Sequence, residues 1–302
     1  MTNKMKEGNE KNESAWNVND TQAQSLGMSE VGSFVGYGGE LTRSHLVDEV
    51  GDDGLIVPVT ALSLFVEDPV VAKSRFVGGI NIAPTPALLA GKLEHLAREL
   101  AFNELRKVYL EAEKDDDLRA SYDALIGSVE QASMECERKY GSWNLNIKTT
   151  ADEILNRLRI EEDARVAAAG NLMKEGIRGF DLVCLLLPVA SEFPIRSENL
   201  GLEGRIDAIY GTNVGRFPLD YKTGSRTNWV IRESEKIQIA AYCMLIEDYY
   251  GMPCNYAEIY YSRYFHNVPI FVSKALKDRV LEIRRMFIEN SVTDEIPRRF
   301  ST

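Results

Sequence analysis

Cysteine is scarce in this 302-residue chain. The four present, Cys136, Cys184, Cys243 and Cys254, form no close-spaced pair and read as reduced thiols in a cytoplasmic protein, not as a disulfide framework. Long apolar runs are missing too: none approaches the roughly 20 residues of a membrane span, so no membrane partner is expected. The stretch Met1 to Ser29 is polar and has no apolar h-region, which excludes a secretory signal there. Positive charge is in deficit, with 35 Lys and Arg against 46 Asp and Glu and a net charge of -11. That balance argues against a broad basic surface for non-specific duplex binding, while leaving room for a local basic groove.

What remains is an ordinary globular composition, 44% hydrophobic and 27% charged, at a length that affords a sizeable core in one large domain or two small ones. Residues 1–54 are rich in Asn, Glu, Gly and Ser and lack sustained periodicity, so a disordered or loosely attached tail is predicted. A short strand over Val31 to Tyr37 is weakened by its glycines. Order is expected from Leu55, with Thr60 capping a short helix, Ala61 to Val66, that Pro69 interrupts. Thr85 and Pro86 open a strong helix to about Glu113, with Leu89, Leu93, Leu96 and Leu100 at helical spacing. A helical insertion, about 114–178, follows as helices over Leu118–Tyr140, Thr150–Arg159 and Glu161–Glu175. The period then changes. Phe180–Leu187 is an apolar segment and Val189–Ile195 a strand. Two further strands, Leu202–Tyr210 and Arg216–Lys222, meet at a turn. A helix spans Glu233 to Tyr250, stopped by Gly251, and an aromatic strand runs from Tyr256 to Tyr264. Val268–Val272 is placed to pair with it, and a terminal helix starts at Lys274.

The two middle strands carry the chemistry. Asp207 sits among apolar neighbours, and Asp220 and Lys222 flank Tyr221 so that both point to one face. Charged groups beside apolar runs cost free energy unless something binds them. Paired carboxylates beside an ammonium suit a divalent metal and an attacking water, and hard oxygen ligands favour magnesium or manganese over zinc. A solvated Asp–Lys pair on a surface hairpin is the bland alternative. Gln238 and Tyr242 lie four apart on the next helix, where they would contact phosphate or steady the lysine, or simply cover the helix surface. His95 lies among leucines, a position that equally suits a satisfied core histidine. Arg205, Arg226, Arg232, Lys236 and Arg263 are candidates for a basic groove, with Trp229, Tyr260, Tyr261 and Tyr264 as stacking surfaces, against ordinary packing and pairing roles.

Taken in order, Gly91-x-x-x-His95, Ser197-Glu-x-Leu-Gly-Leu-x-Gly-x-x-Asp207, Asp220-Tyr-Lys-Thr-Gly and Gln238-x-x-x-Tyr242 resemble the RecB-type nucleases of the PD-(D/E)XK superfamily. Within that superfamily the set looks most like the CRISPR-associated exonuclease family, the fourth of the Cas proteins. The resemblance runs from about Val57 to Ser262, interrupted by the insertion. It implies an α/β, restriction-endonuclease-like core, a mixed sheet flanked by helices, occupying residues 55–302. It also implies His95, Asp207 and Asp220 as metal ligands with help from the Tyr221 carbonyl, Lys222 as the catalytic lysine, and Gln238 and Tyr242 in support. The activity implied is metal-dependent hydrolysis of DNA ends, often single-stranded, with magnesium or manganese, in processing for CRISPR spacer acquisition beside the integrase. The family's iron–sulfur cluster is not expected. Asp68 stands where its early cysteine would be, and the chain stops where the late three would follow Ile296 to Phe300. Two other readings stay open: a non-catalytic adaptor of the same fold binding DNA ends or an integrase, and a recombination or repair nuclease outside any CRISPR system.

Overall fold

In the computed structural model, which describes residues 55–80, 85–141, 146–212, 215–225 and 230–292, the acidic hairpin lies inside a six-stranded mixed sheet. The strands are β1 (Val57–Pro58), β2 (Ala190–Ser197), β3 (Leu202–Thr212), β4 (Gly215–Lys222), β5 (Tyr256–Tyr261) and β6 (His266–Phe271). β2 runs antiparallel along one edge of β3. The other edge of β3 is shared: β1 lies parallel to it at Leu202 and Glu203, and β4 antiparallel to it from Ala208 to Thr212. Residues 204–207 therefore fall between two partners on that edge. β5 is parallel to β4, and β6 closes the sheet antiparallel to β5.

Helices cover both faces. α1 (Val59–Glu67), α2 (Pro69–Phe76), α7 (Glu233–Tyr250) and α8 (Lys274–Val292) bury one core against Leu202, Ile206, Ile209, Ile259 and Tyr261. α3 (Pro86–Glu111), α4 (Ala120–Tyr140), α5 (Ile147–Lys174) and α6 (Gly179–Leu186) bury a second against Ala208, Leu219 and Tyr221. The period-2 alternation of β4 thus sends Leu219 and Tyr221 to the α3–α6 side, and Asp220 and Lys222 to the α7 side. α3 starts as its sequence dictates: Thr85 Oγ1 accepts from the Leu88 N–H at 3.2 Å, with Pro86 at the first position. α7 is apolar almost all round, from Ile237 to Ile246, as a covered core helix must be, and it ends at Gly251 in the left-handed region.

Several local expectations need correction. Thr60 caps nothing; α1 begins at Val59, with Pro58 at its N-cap. Pro69 starts α2, and Asp68 Oδ1 accepts from the Val70 and Val71 N–H groups at 3.1 Å each. The helices expected over Thr150–Arg159 and Glu161–Glu175 are one, α5, because no Gly or Pro interrupts the run between them. Phe180–Leu187 is largely the helix α6. β5 stops at Tyr261, where a short 3-10 turn, Ser262–Tyr264, takes over. The expected tail over 1–54, with its possible Val31–Tyr37 strand, lies outside the described residues. All four cysteines are free thiols.

One glycine is required by a close approach. A Cβ at Gly204 would lie 2.8 Å from Tyr242 Cε1 and 3.3 Å from Val59 Cγ2, so the absence of a side chain lets α7 seat Tyr242 against β3. The exposed Gly127, inside α4, has nothing within 4 Å of such a Cβ. Chemical denaturation of Gly204→Ala is expected to show a loss of about 1–3 kcal/mol from overpacking. Gly127→Ala should gain roughly 0.5–1 kcal/mol from helix propensity.

Candidate active site

The pairing of β3 with β4 ends at Ala208 and Leu219. The next residues in register are Asp207 and Asp220, and there the strands part. The Tyr221 N–H, which a continued ladder would give to a β3 carbonyl, instead donates to Asp207 Oδ2 at 2.7 Å. The carboxylate thus stands in for a backbone acceptor, and the opened strands leave room between the two acids.

Two more groups converge on Asp207. Glu192, opposite it in the β2 register, has φ 47°, a left-handed conformation uncommon for a residue with a Cβ. Its carboxylate is tethered by Arg205, whose Nε lies 3.0 Å from Glu192 Oε2 and also donates to the Glu192 carbonyl at 2.9 Å. His95 arrives from α3, with Nδ1 2.9 Å from Glu192 Oε1 and 3.4 Å from Asp207 Oδ1. The ligand atoms of His95, Glu192 and Asp207 all lie within 4.8 Å of one another. Gly91, one turn before His95, lets α3 lie close to the end of β4: a Cβ there would meet Thr223 Oγ1 at 3.0 Å.

The lysine belongs to a second chain of contacts. Lys222 Nζ is 2.7 Å from Asp220 Oδ2 and donates to Gln238 Oε1 at 2.9 Å. Gln238 Nε2 in turn donates to Tyr242 Oη at 3.3 Å. Asp220 is 2% exposed, and its Oδ2 gains no aligned hydrogen bond despite the nearby ammonium. A buried anionic oxygen in that position is short of partners and suited to one more cation.

The electrostatics fit that reading. Burial pushes the Asp220 carboxyl up to about 6, with Lys222 pulling it down and Asp207 pushing it further up. Burial also works to raise Asp207, but the charge and hydrogen bond of His95, then Lys222, hold it below the usual carboxylate range. Burial opposes charge on His95, yet Asp207 and then Glu192 raise it well above the ordinary imidazole value. Lys222 is likewise raised against its burial, chiefly by Asp220. Oxygen donors with one imidazole suit a cation of the magnesium or manganese kind, whose binding would compete with protons on His95 and Asp220.

The residues singled out in the sequence are thus largely brought together. His95 and Asp207 share one cluster, while Asp220, Lys222, Gln238 and Tyr242 form the adjoining chain. Asp220 is not within the compact trio; Glu192 takes that place, and sequence reasoning missed it. Its strand, which also holds Ser191, Arg196 and Ser197, gave no such signal as the one at Asp207. The DNA-contact candidates are placed variously, with Tyr264 exposed. Tyr261 is fully buried and has no face free for a base. Arg205 is engaged by Glu192 and Glu99, Arg232 lies near Glu67, and Arg263 donates to the Thr223 carbonyl at 2.7 Å. Arg226 and Trp229 lie outside the described residues. The cluster opens into a cleft of about 500 Å³, whose rim includes Lys92, His95, Glu192, Arg205 and Lys222.

Comparison with known proteins identifies a family. The model of the PD-(D/E)XK nuclease superfamily matches residues 59–277. The CRISPR-associated exonuclease Cas4 of Francisella tularensis subsp. novicida (strain U112) is 33% identical over 60 residues, 20% of this chain and 29% of that protein. The match thus spans less than a third of the relative's length. Among the described residues, no helix is long and apolar enough to cross a membrane.

Cation uptake should depend on pH in a definite direction. Asp220 has its pKa raised from 3.8 to about 6, so the stability its neutral form contributes is complete below 3.8 and lost as pH rises through about 6. The His95 ion pairs persist to higher pH, because that group is raised from 6.5. A cation needs both groups deprotonated, so its stabilising effect has the opposite slope. The Tm gain from a fixed manganese concentration should grow from about pH 5 to about pH 8, with protons released on binding. A pH-independent gain with no proton release contradicts this assignment.

Proposed function

The chain belongs to the PD-(D/E)XK nuclease superfamily, and on that premise we propose that it is a metal-dependent deoxyribonuclease that hydrolyses phosphodiester bonds at DNA ends, as an exonuclease using magnesium or manganese. The observation that carries the proposal is the convergence of His95, Glu192 and Asp207 beside the Asp220–Lys222 ion pair, in an open cleft. His95, Glu192 and Asp207 would hold the cation, with Asp220 and the Tyr221 carbonyl on its β4 side. A divalent cation there supplies charge to neutralise the scissile phosphate and lowers the pKa of water.

The protein's own groups do the rest. Asp220 and Gln238 aim the Lys222 ammonium, which remains charged and presents positive charge to a phosphate oxygen where charge develops. Tyr242, a phenol held neutral by its burial and then by the neighbouring carboxylates, fixes the Gln238 amide. Arg205 holds Glu192 in its left-handed conformation. Single-stranded ends are the proposed substrate, and residues 55–302 the nuclease unit, with the helical stretch over 114–178 as an insertion. The short match to a CRISPR-associated exonuclease favours an exonuclease in a CRISPR setting; a role in preparing DNA for spacer acquisition, with the CRISPR integrase as partner, is proposed on that footing.

The test is cleavage of linear single-stranded, splayed and duplex DNA, and of circular single strands, by the purified chain with manganese. Linear strands should shorten from their ends while circles resist. Lys222→Ala and Asp220→Ala should each slow cleavage on the order of a hundredfold or more. Variants that cut as fast as the parent refute the assignment, and a parent that binds ends without cutting them is an adaptor.

A further inference from the structure

Arg98 takes no part in the arrangement described so far, yet it is one of the most deeply buried charges in the protein, 3% exposed. It lies on α3, three residues after His95. Its guanidinium lies over the Tyr221 ring, 4.3 Å from the centroid. Carboxylates from two helices take its hydrogens. Nη1 and Nη2 donate to Glu161 of α5 at 2.7 and 2.8 Å. Nε and Nη2 donate to Glu94 of α3 at 3.3 and 3.0 Å. Glu94, 1% exposed, also accepts from Arg157 of α5 at 2.8 Å, and Tyr260 Oη donates to Glu161 at 3.1 Å.

Stability alone does not account for such a network, because buried ion pairs are often replaceable by apolar groups without loss. Its position does. Tyr221 is the residue whose N–H donates to the Asp207 carboxylate, and it stands between Asp220 and Lys222. Its ring is held flat by the guanidinium and edge-on by Tyr260, at 5.9 Å between centroids. A planar cation clamped by two acids is a rigid surface, which a lysine cannot reproduce.

We propose that Arg98, clamped by Glu161 and Glu94, is a positioning residue for the metal site: by stacking on Tyr221 it sets the β4 backbone that spaces Asp207 from Asp220 and Lys222. Through Glu161 and Arg157 that spacing becomes dependent on α5, a helix that supplies none of the three residues of the His95–Glu192–Asp207 cluster. The inference rests on reading that cluster as a cation site.

Calorimetric titration with manganese alone, without DNA, tests it. The variants are Arg98→Lys, which keeps the charge but loses the plane, Tyr221→Leu, which removes the ring, and the double variant. Each single variant should bind manganese about tenfold more weakly than the parent. The double variant should bind no more weakly than the weaker single, because both remove one contact. Affinity equal to the parent's in Arg98→Lys, or shifts that multiply in the double variant, overturns the positioning role. Should circular dichroism show one of these variants unfolded, Glu161→Gln loosens the clamp while keeping its shape. It should weaken manganese binding in the same direction, and unchanged affinity overturns the proposal. A parent that binds no manganese overturns the cation site itself, whereas a parent that binds while all variants match it overturns the positioning role alone.

Discussion

A single hydrogen bond, from the Tyr221 N–H to the Asp207 carboxylate, is the constraint on which the arrangement depends. Two strands that part inside a sheet would each leave backbone donors and acceptors without partners, at a cost comparable to lost hydrogen bonds. Here a side chain of one strand meets the main chain of the other, so β3 and β4 separate beside Asp207 and Asp220 with that donor satisfied. The same bond commits Asp207 Oδ2 and leaves Oδ1 facing His95. The missing side chain at Gly204 is what lets Tyr242 seat against β3 and brings α7 with its glutamine under the lysine.

Charge balance follows from that opening. Three carboxylates, Glu192, Asp207 and Asp220, are drawn into one small region, and like charges at close range cannot all ionise without compensation. Two basic groups stand among them: Lys222 beside Asp220, and His95, whose pKa Asp207 and Glu192 raise, between Glu192 and Asp207. What they leave incomplete falls on Asp220, buried and shifted upward, with an oxygen that lacks an aligned donor. On the proposed reading a divalent cation would compete with protons there, and the Lys222 ammonium is already aimed.

Much of this was legible in the sequence because the signals were local. Asp207, Asp220 and Lys222 interrupt apolar strand patterns, and strand alternation alone places the last two on one face. The four-residue spacing of Gln238 and Tyr242 defines a helix face without tertiary information. His95 was legible only through the ordered set of motifs, since its proposed ligand role depends on where α3 is packed. Glu192 was missed because its importance lies in cross-strand register and in a left-handed backbone, neither of which a single strand reveals. Tyr261 stayed open between stacking and packing for a related reason: an alternating aromatic strand does not say which face the helices cover, and α7 and α8 cover that one. Arg98, Glu94 and Glu161 carry no local signal in the sequence and become a buried network only when α3 and α5 close over Tyr221.

The most direct test is a crystal structure of the chain soaked in manganese, with anomalous scattering to locate the ion. The account predicts a peak bridged by His95, Glu192 and Asp207, with an Asp220 oxygen turned toward it. An anomalous map without that peak, or with manganese held elsewhere while His95 keeps its contacts to Glu192 and Asp207, would contradict it.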